Sequence, residues 1–347
     1  MVNNHFGRGI MSEPILQIKN LCTSFIQESG RELRAVDDLS YDVHEKECVA
    51  IIGESGSGKS VSAMSVLRLI PYPPGIIKSG EILYKGEDIL KASDSRLEEI
   101  RGSKISMIFQ EPSTSLNPVM TIGNQIIENI LIHTDLSKEE ARKRAEELLT
   151  LVDIPNADVR LKDYPFQFSG GMQQRAMIAM AMCCNPDILI CDEPTTALDV
   201  TVQAQVLEQL NNLRERYNTA LIIITHNLGI VARYADTVKI MYGGRIIESG
   251  TADDIFENPQ HPYTIGLIKA VPRLDLPRSR GLKTIPGEPP DMATVPRNSC
   301  AFAPRCKYAC DECKCSRPEG EMISDTHYVV CPRRELAEEE RKEVVVH

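Results

Sequence analysis

The residues best suited to chemistry begin with Gly53, Gly58, Lys59 and Ser60, which occupy the fixed places of the phosphate-loop pattern G-x-x-x-x-G-K-S/T (Walker A). Glu54, Ser55, Gly56 and Ser57 fill the turn between them. Glycines let such a turn wrap closely, so its backbone N–H groups can face phosphate oxygens. A helix starting at its end adds unpaired N–H groups and a positive dipole end. Lys59 would reach the β and γ phosphates, and Ser60 would hold a magnesium ion. Asp192 and Glu193 follow the apolar run Ile188-Leu189-Ile190-Cys191. There Asp192 can bind magnesium opposite Ser60, and Glu193 can orient a water or take its proton. Gln110 and His226 close two further apolar runs, where Gln110 can touch the metal or the water and His226 the γ phosphate. Each of these alone suits an ordinary turn contact equally well; together they make the set that phosphoryl transfer needs, namely positioning, charge neutralisation and a directed water.

The elements that must carry these residues are legible. Cys48-Val49-Ala50-Ile51-Ile52 reads as a buried strand entering the phosphate loop, and the segment after Ser60 reads as a helix. Buried runs recur at KISMIFQ (104–110), Ile188–Cys191 and ALIIITHN, the last ending at His226. With helices between them, they predict a parallel sheet covered on both faces, whose carboxyl edge collects the four clusters. Alternating runs in 14–50 predict a small antiparallel layer. SGEILYKGEDI and TVKIMYGGRIIESG read as hairpins, the second turning at Gly243-Gly244. Between about 119 and 160 the pattern becomes helical. Ser137 to Glu140 has capping-box spacing, and Ala141, Ala145, Leu148, Leu149 and Val152 share one face. FSGGMQQR opens another helix, with Ser169 as its cap and Gly170 and Gly171 allowing close approach. A second anion-binding helix start is useful in a dimer, where each partner's helix closes over the other's phosphate loop.

The 347 residues suggest two domains or one with appendages, and no run of 18 apolar residues is present to span a membrane. A formal net charge of −10 argues against broad binding to a nucleic-acid backbone. Residues 1–13 read as a loose tail without a secretory signal. From His261 the text is proline-rich and reads as a separate, irregular appendage ending in a charged helix or frayed tail. Of 11 cysteines, Cys22, Cys48, Cys183, Cys184 and Cys191 are scattered and read as structural thiols. The other six, Cys300, Cys306, Cys310, Cys313, Cys315 and Cys331, crowd together as a metal or cluster site would require.

GESGSGKS, Gln110 in FQEP, SGGMQ, ILICDEP, TALD and the His226 of THN together resemble the ATPase subunits of ABC transporters, over residues 14 to about 330. The resemblance implies an α/β P-loop ATPase fold with a mostly parallel core sheet, an N-terminal antiparallel layer, a helical insert and a small irregular cysteine-rich C-terminal lobe. The corresponding division is a tail at 1–13, a nucleotide-binding domain at 14–260 with a helical subdomain at about 111–170, and an extension at 261–347. It further implies a head-to-tail dimer with ATP between one phosphate loop and the other subunit's Ser169, Gly170 and Gly171. By the same resemblance Glu193 is the catalytic base and His226 the γ-phosphate sensor. Gln110 contacts magnesium and the membrane partner, and Asp199 communicates between sites. Phe25 stacks on adenine by this resemblance; read alone, an aromatic in a β layer is equally a packing residue.

EPSTSLNPVMTIGNQI, ENPQHPYTIGLIKAVPRLD, IPGEPP and CAFAPRCKYACDEC resemble, more narrowly, the D-type ATPase of oligopeptide/dipeptide importers, in which SGGMxQR is also usual. That resemblance implies two permease subunits, a second related ATPase, an extracytoplasmic peptide-binding protein, no nucleic acid, and a place on the cytoplasmic face of the cell membrane. Importers of nickel chelates or other small solutes are close alternatives, with a soluble ABC ATPase or an interaction module further off. It also selects Cys300, Cys306, Cys313 and Cys331, spaced C-x5-C-x6-C-x17-C, as ligands of a four-iron, four-sulfur cluster. Four thiolates suit a structural zinc equally well, and free thiols or disulfides stay open.

Overall fold

The computed structural model describes residues 13–196, 198–271 and 284–344. Nearly all of the expected N-terminal tail and the proline-rich stretch 272–283 lie outside them. Strands β1 (Leu16–Ile26), β2 (Glu32–Val43), β4 (Gly75–Tyr84) and β5 (Glu87–Asp88) form an antiparallel sheet in the order β2-β1-β4-β5. The remaining strands are β3 (Cys48–Ile52), β6 (Ile105–Ile108), β7 (Ile188–Asp192), β8 (Ala220–Thr225), β9 (Thr237–Tyr242), β10 (Arg245–Thr251), β11 (Glu321–Met322) and β12 (Tyr328–Val329). They form one sheet in the order β11-β12-β10-β9-β3-β8-β7-β6, parallel from β9 through β3, β8 and β7 to β6.

Every residue of β3, β7 and β8 is buried, which is why these strands read as unbroken apolar runs. The pleat then sends alternate side chains to opposite faces. Leu221 and Ile223 join the core beneath the helical insert, while Ile222 and Ile224 join the core shared with the antiparallel layer. Each such isoleucine contributes about 1.5–3 kcal/mol by leaving water. The insert rests on the helices Ile122–His133 and Lys138–Leu151; the latter has the expected capping box at Ser137 and Glu140 and buries Ala141, Ala145, Leu148 and Leu149.

The region after His261, expected as an irregular appendage, is joined to the core, where β12 pairs with β10 and extends the central sheet. Pro262–Lys269 is a helix, and the terminal helix Glu338–Val344 is pinned to it through Lys269 and Glu340, 3.3 Å apart. The strand expected to end on Gln110 stops at Ile108, leaving Gln110 exposed beyond it.

Candidate active site

β3 delivers the phosphate loop and the helix Lys59–Val66 follows it, so the strand–turn–helix context is present. Two glycines are demanded by their neighbours. A Cβ on Gly53 would lie 2.3 Å from the Met241 carbonyl oxygen of β9, and one on Gly58 would lie 2.2 Å from that of Ala35 in β2. Gly58 also has φ +98°, a left-handed conformation that a side chain would strain. The Lys59 ammonium donates to the carbonyls of Gly53 and Glu54 at 2.8 and 2.9 Å, with Ser57 Oγ 3.5 Å away. Burial lowers its pKa, a shift opposed by the charges of Glu193, Asp192 and Glu54. A cation partly stripped of water and resting on two backbone carbonyls of the loop suits an arriving phosphate.

Ser60 Oγ donates to Asp192 Oδ1 at 3.0 Å, joining the helix start to the end of β7. Burial raises the Asp192 pKa and the neighbouring Glu193 adds to it, while the Ser60 bond pulls it down. A hydroxyl and a buried carboxylate side by side are oxygen donors of the kind a magnesium ion takes.

The residue after Asp192 is held unusually. Glu193 has φ +48°, left-handed for a residue with a side chain, and its N–H donates to the Ile224 carbonyl of β8. Gln110 Nε2 and Thr196 Oγ1 both donate to Glu193 Oε2, at 3.0 and 2.8 Å. His226 Nδ1 lies 3.4 Å from Oε1. The structure thus brings together Lys59, Ser60, Gln110, Asp192, Glu193 and His226 from four strand ends. Thr196 was not found in the sequence reading; its only signal is a hydroxyl three residues beyond the acid.

Ser169 caps the helix Gly170–Ala181 by accepting from the Met172 N–H at 3.3 Å, and both Ser169 and Gly170 are exposed. Asp199 Oδ1 accepts from the Val202 N–H, capping the start of the helix Val200–Tyr217. Phe25 is half-buried on β1, registered between Leu33 and Gly75, and a Cβ on Gly75 would come within 3.0 Å of its ring.

Glu54 carries contacts that no local pattern announces. Its N–H donates to Tyr263 Oη at 2.9 Å, and its carboxylate receives two bonds from Arg305, at 2.6 and 3.1 Å. Beyond Arg305 lies the cysteine region. Cys300, Cys306, Cys313 and Cys331 line one apolar cavity, while Cys315 is exposed. Burial raises the thiol pKa at Cys300 and Cys306 and pushes Cys331 up to about 12. Among the described residues, however, no group of three or more His, Cys, Asp or Glu side chains is arranged to hold a metal ion. The four thiols expected to hold the cluster therefore line a common cavity without a preformed coordination shell.

Two family models match the chain. One is described as ABC transporter and matches residues 36–196; the other, oligopeptide/dipeptide transporter, C-terminal region, matches residues 247–313. The oligopeptide transport ATP-binding protein OppD of Bacillus subtilis (strain 168) is 48% identical over 315 residues, 91% of this chain and 87% of that one. The dipeptide transport ATP-binding protein DppD of the same organism is 48% identical over 319 residues, 92% of this chain and 94% of that one. A solved structure, the dimeric post-hydrolysis state of the ATP-binding cassette MJ0796 bound to ADP and Pi, aligns with a TM-score of 0.62 at 26% identity. It covers 68% of this chain and 98% of its own.

Proposed function

The chain belongs to the ABC transporter family of ATPases, and from that premise we propose that it hydrolyses ATP to power the import of oligopeptides or dipeptides. The observation that carries the catalytic part is the convergence of Gln110 and His226 on Glu193, beside the Ser60–Asp192 pair and Lys59. Peptide as cargo is supported by the names of the relatives and by the matched C-terminal region. In this reading Lys59 and the phosphate-loop amides hold the β and γ phosphates. Ser60, Asp192 and Gln110 would hold a magnesium ion, which would supply positive charge against the phosphates. Glu193 receives the proton of the attacking water, and His226 meets the γ phosphate. Ser169, Gly170 and Gly171, at an exposed helix start, close over the phosphate loop of a second, related ATPase. Asp199 links the two sites, and Phe25 faces the adenine.

The proposal includes two permease subunits, an extracytoplasmic peptide-binding protein, attachment to the cytoplasmic face of the cell membrane, and the division 14–260 and 261–347. No described helix is long and apolar enough to cross a membrane. For Cys300, Cys306, Cys313 and Cys331 we propose a shared four-iron, four-sulfur group that pins the C-terminal lobe. It is supported by four soft donors facing one cavity and takes no part in hydrolysis.

The test is anaerobic isolation of the complex formed by this chain, with subunit mass spectrometry, iron, sulfide and zinc analysis, and uptake in proteoliposomes. Two permeases, a second ATPase and peptide-stimulated hydrolysis are expected. Glu193→Gln should lower kcat about 10²-fold or more. Uptake of a nickel chelate in place of peptides would overturn the cargo, and zinc in place of iron the cluster. A permease-free assembly would remove the transport reading altogether.

A further inference from the structure

Arg305 lies in the short turn Ala303–Arg305, between Cys300 and Cys306, far along the chain from the phosphate loop. All five of its N–H donors are engaged. Two meet the Glu54 carboxylate as a fork, one meets Tyr242 Oη at 3.3 Å, and the others meet the carbonyls of Ile285 and Pro286 at 3.5 and 2.9 Å. Its side chain is 6% exposed and that of Glu54 25%. The guanidinium therefore ties three segments together: the end of β9, the chain at 285–286 and the phosphate loop.

Glu54 is in turn fastened on three sides. Arg305 holds its carboxylate, Tyr263 Oη accepts from its N–H, and its carbonyl accepts from the Lys59 ammonium. An acid is a surprising residue in a loop that receives polyphosphate, since an unpaired carboxylate there repels the ligand. Pairing by a bidentate arginine whose side chain is almost wholly buried removes that repulsion and fixes the first turn of the loop. Deleting one partner of such a pair leaves an uncompensated charge in poorly hydrated surroundings.

We infer that Arg305 is a positioning residue of the nucleotide site, holding Glu54 neutralised and the phosphate loop in register from within the cysteine-bearing region. The inference rests on the loop's being the nucleotide site. One physical consequence is that a displacement of the Cys300–Cys306 segment reaches the phosphate loop through the Arg305–Glu54 pair and, beside it, through Phe302, whose ring packs edge-on against Tyr263.

A double-substitution cycle on the full chain tests it, with MgADP affinity read by calorimetry. Arg305→Gln should weaken binding about tenfold, or ~1.4 kcal/mol. In the Glu54→Gln background the same change should cost less than about twofold, because no carboxylate is left to repel phosphate. The Arg305→Gln deficit should also shrink as ionic strength rises, which a merely structural loss would not do. If Arg305→Gln fails to fold, Arg305→Lys takes its place; it keeps the charge without the fork and should lose about threefold, again relieved by Glu54→Gln. Wild-type affinity in the single variants, or an equal loss in both backgrounds, overturns the inference. Absence of MgADP binding by the unaltered protein would instead overturn the nucleotide reading.

Discussion

A buried carboxylate is a standing cost, and Asp192 bears it. Its pKa is raised chiefly by burial, so the folded chain holds this proton more tightly than the unfolded chain. Stability from this group is therefore full below the ordinary aspartate range and is lost as pH climbs through the raised value. Asp192→Asn should flatten that loss and raise the neutral-pH stability of the nucleotide-free protein by about 1 kcal/mol, while lowering Mg-ATP hydrolysis about 10²-fold or more. Urea titrations across pH, beside ATPase assays, separate the two effects. Lys59, Ser60, Asp192 and Glu193 were legible because each stands at a fixed offset from a glycine turn or an apolar strand. Tyr263 and Arg305 were not, since their contacts with Glu54 span 209 and 251 residues. Spacing encodes what one turn can reach, and nothing local records a partner so distant.

Helix starts carry the next predictions. In the capping box, Ser137 Oγ accepts from the Glu140 N–H at 3.3 Å while the Glu140 carboxylate accepts from the Ser137 N–H at 2.9 Å. Ser137→Ala should cost about 1 kcal/mol in urea denaturation and leave MgADP affinity unchanged, because the helix it caps serves the insert's core. His261 caps the helix Pro262–Lys269 differently: its ring Nδ1 accepts from the Tyr263 N–H at 3.0 Å, which requires a neutral ring. Complete burial lowers its pKa from 6.5 to about 4. The unfolded chain therefore binds this proton first as pH falls, and stability present above 6.5 is lost toward 4. The loss is about 3 kcal/mol for a shift of this size. His261→Asn, which keeps an acceptor at the cap, should remove most of that slope whatever its absolute stability. The capping box and the buried strands announced themselves by composition and period. The helix after His261 was hidden by the prolines around it, although Pro262 occupies the first helical turn, where proline is tolerated.

Across the whole molecule, the unexpected join is at Glu248 of β10. Its side chain is fully buried and accepts from the N–H groups of Gln260 and His261 at 2.6 and 2.8 Å, with His327 Nε2 2.8 Å from Oε1. A chain ending after Gln260 keeps every phosphate-site motif yet loses the His261 and His327 partners. It should be less stable by about 3–5 kcal/mol, with Glu248→Gln restoring part of the loss, as thermal melts of soluble protein would show. The sequence disclosed the core sheet through long apolar runs, whereas β11 and β12 have two residues each and so carry no period to read. The same pairing has a consequence for synthesis. β10 ends at Thr251 and its neighbour β12 begins at Tyr328, so a ribosome working at about 5–20 residues per second leaves that strand edge without its partner for roughly 4–15 s. During that interval the nascent chain presents an open row of backbone donors and acceptors to any other strand nearby. Two residues far down the chain thus act as the seal on a sheet begun some 280 residues earlier, at Cys48.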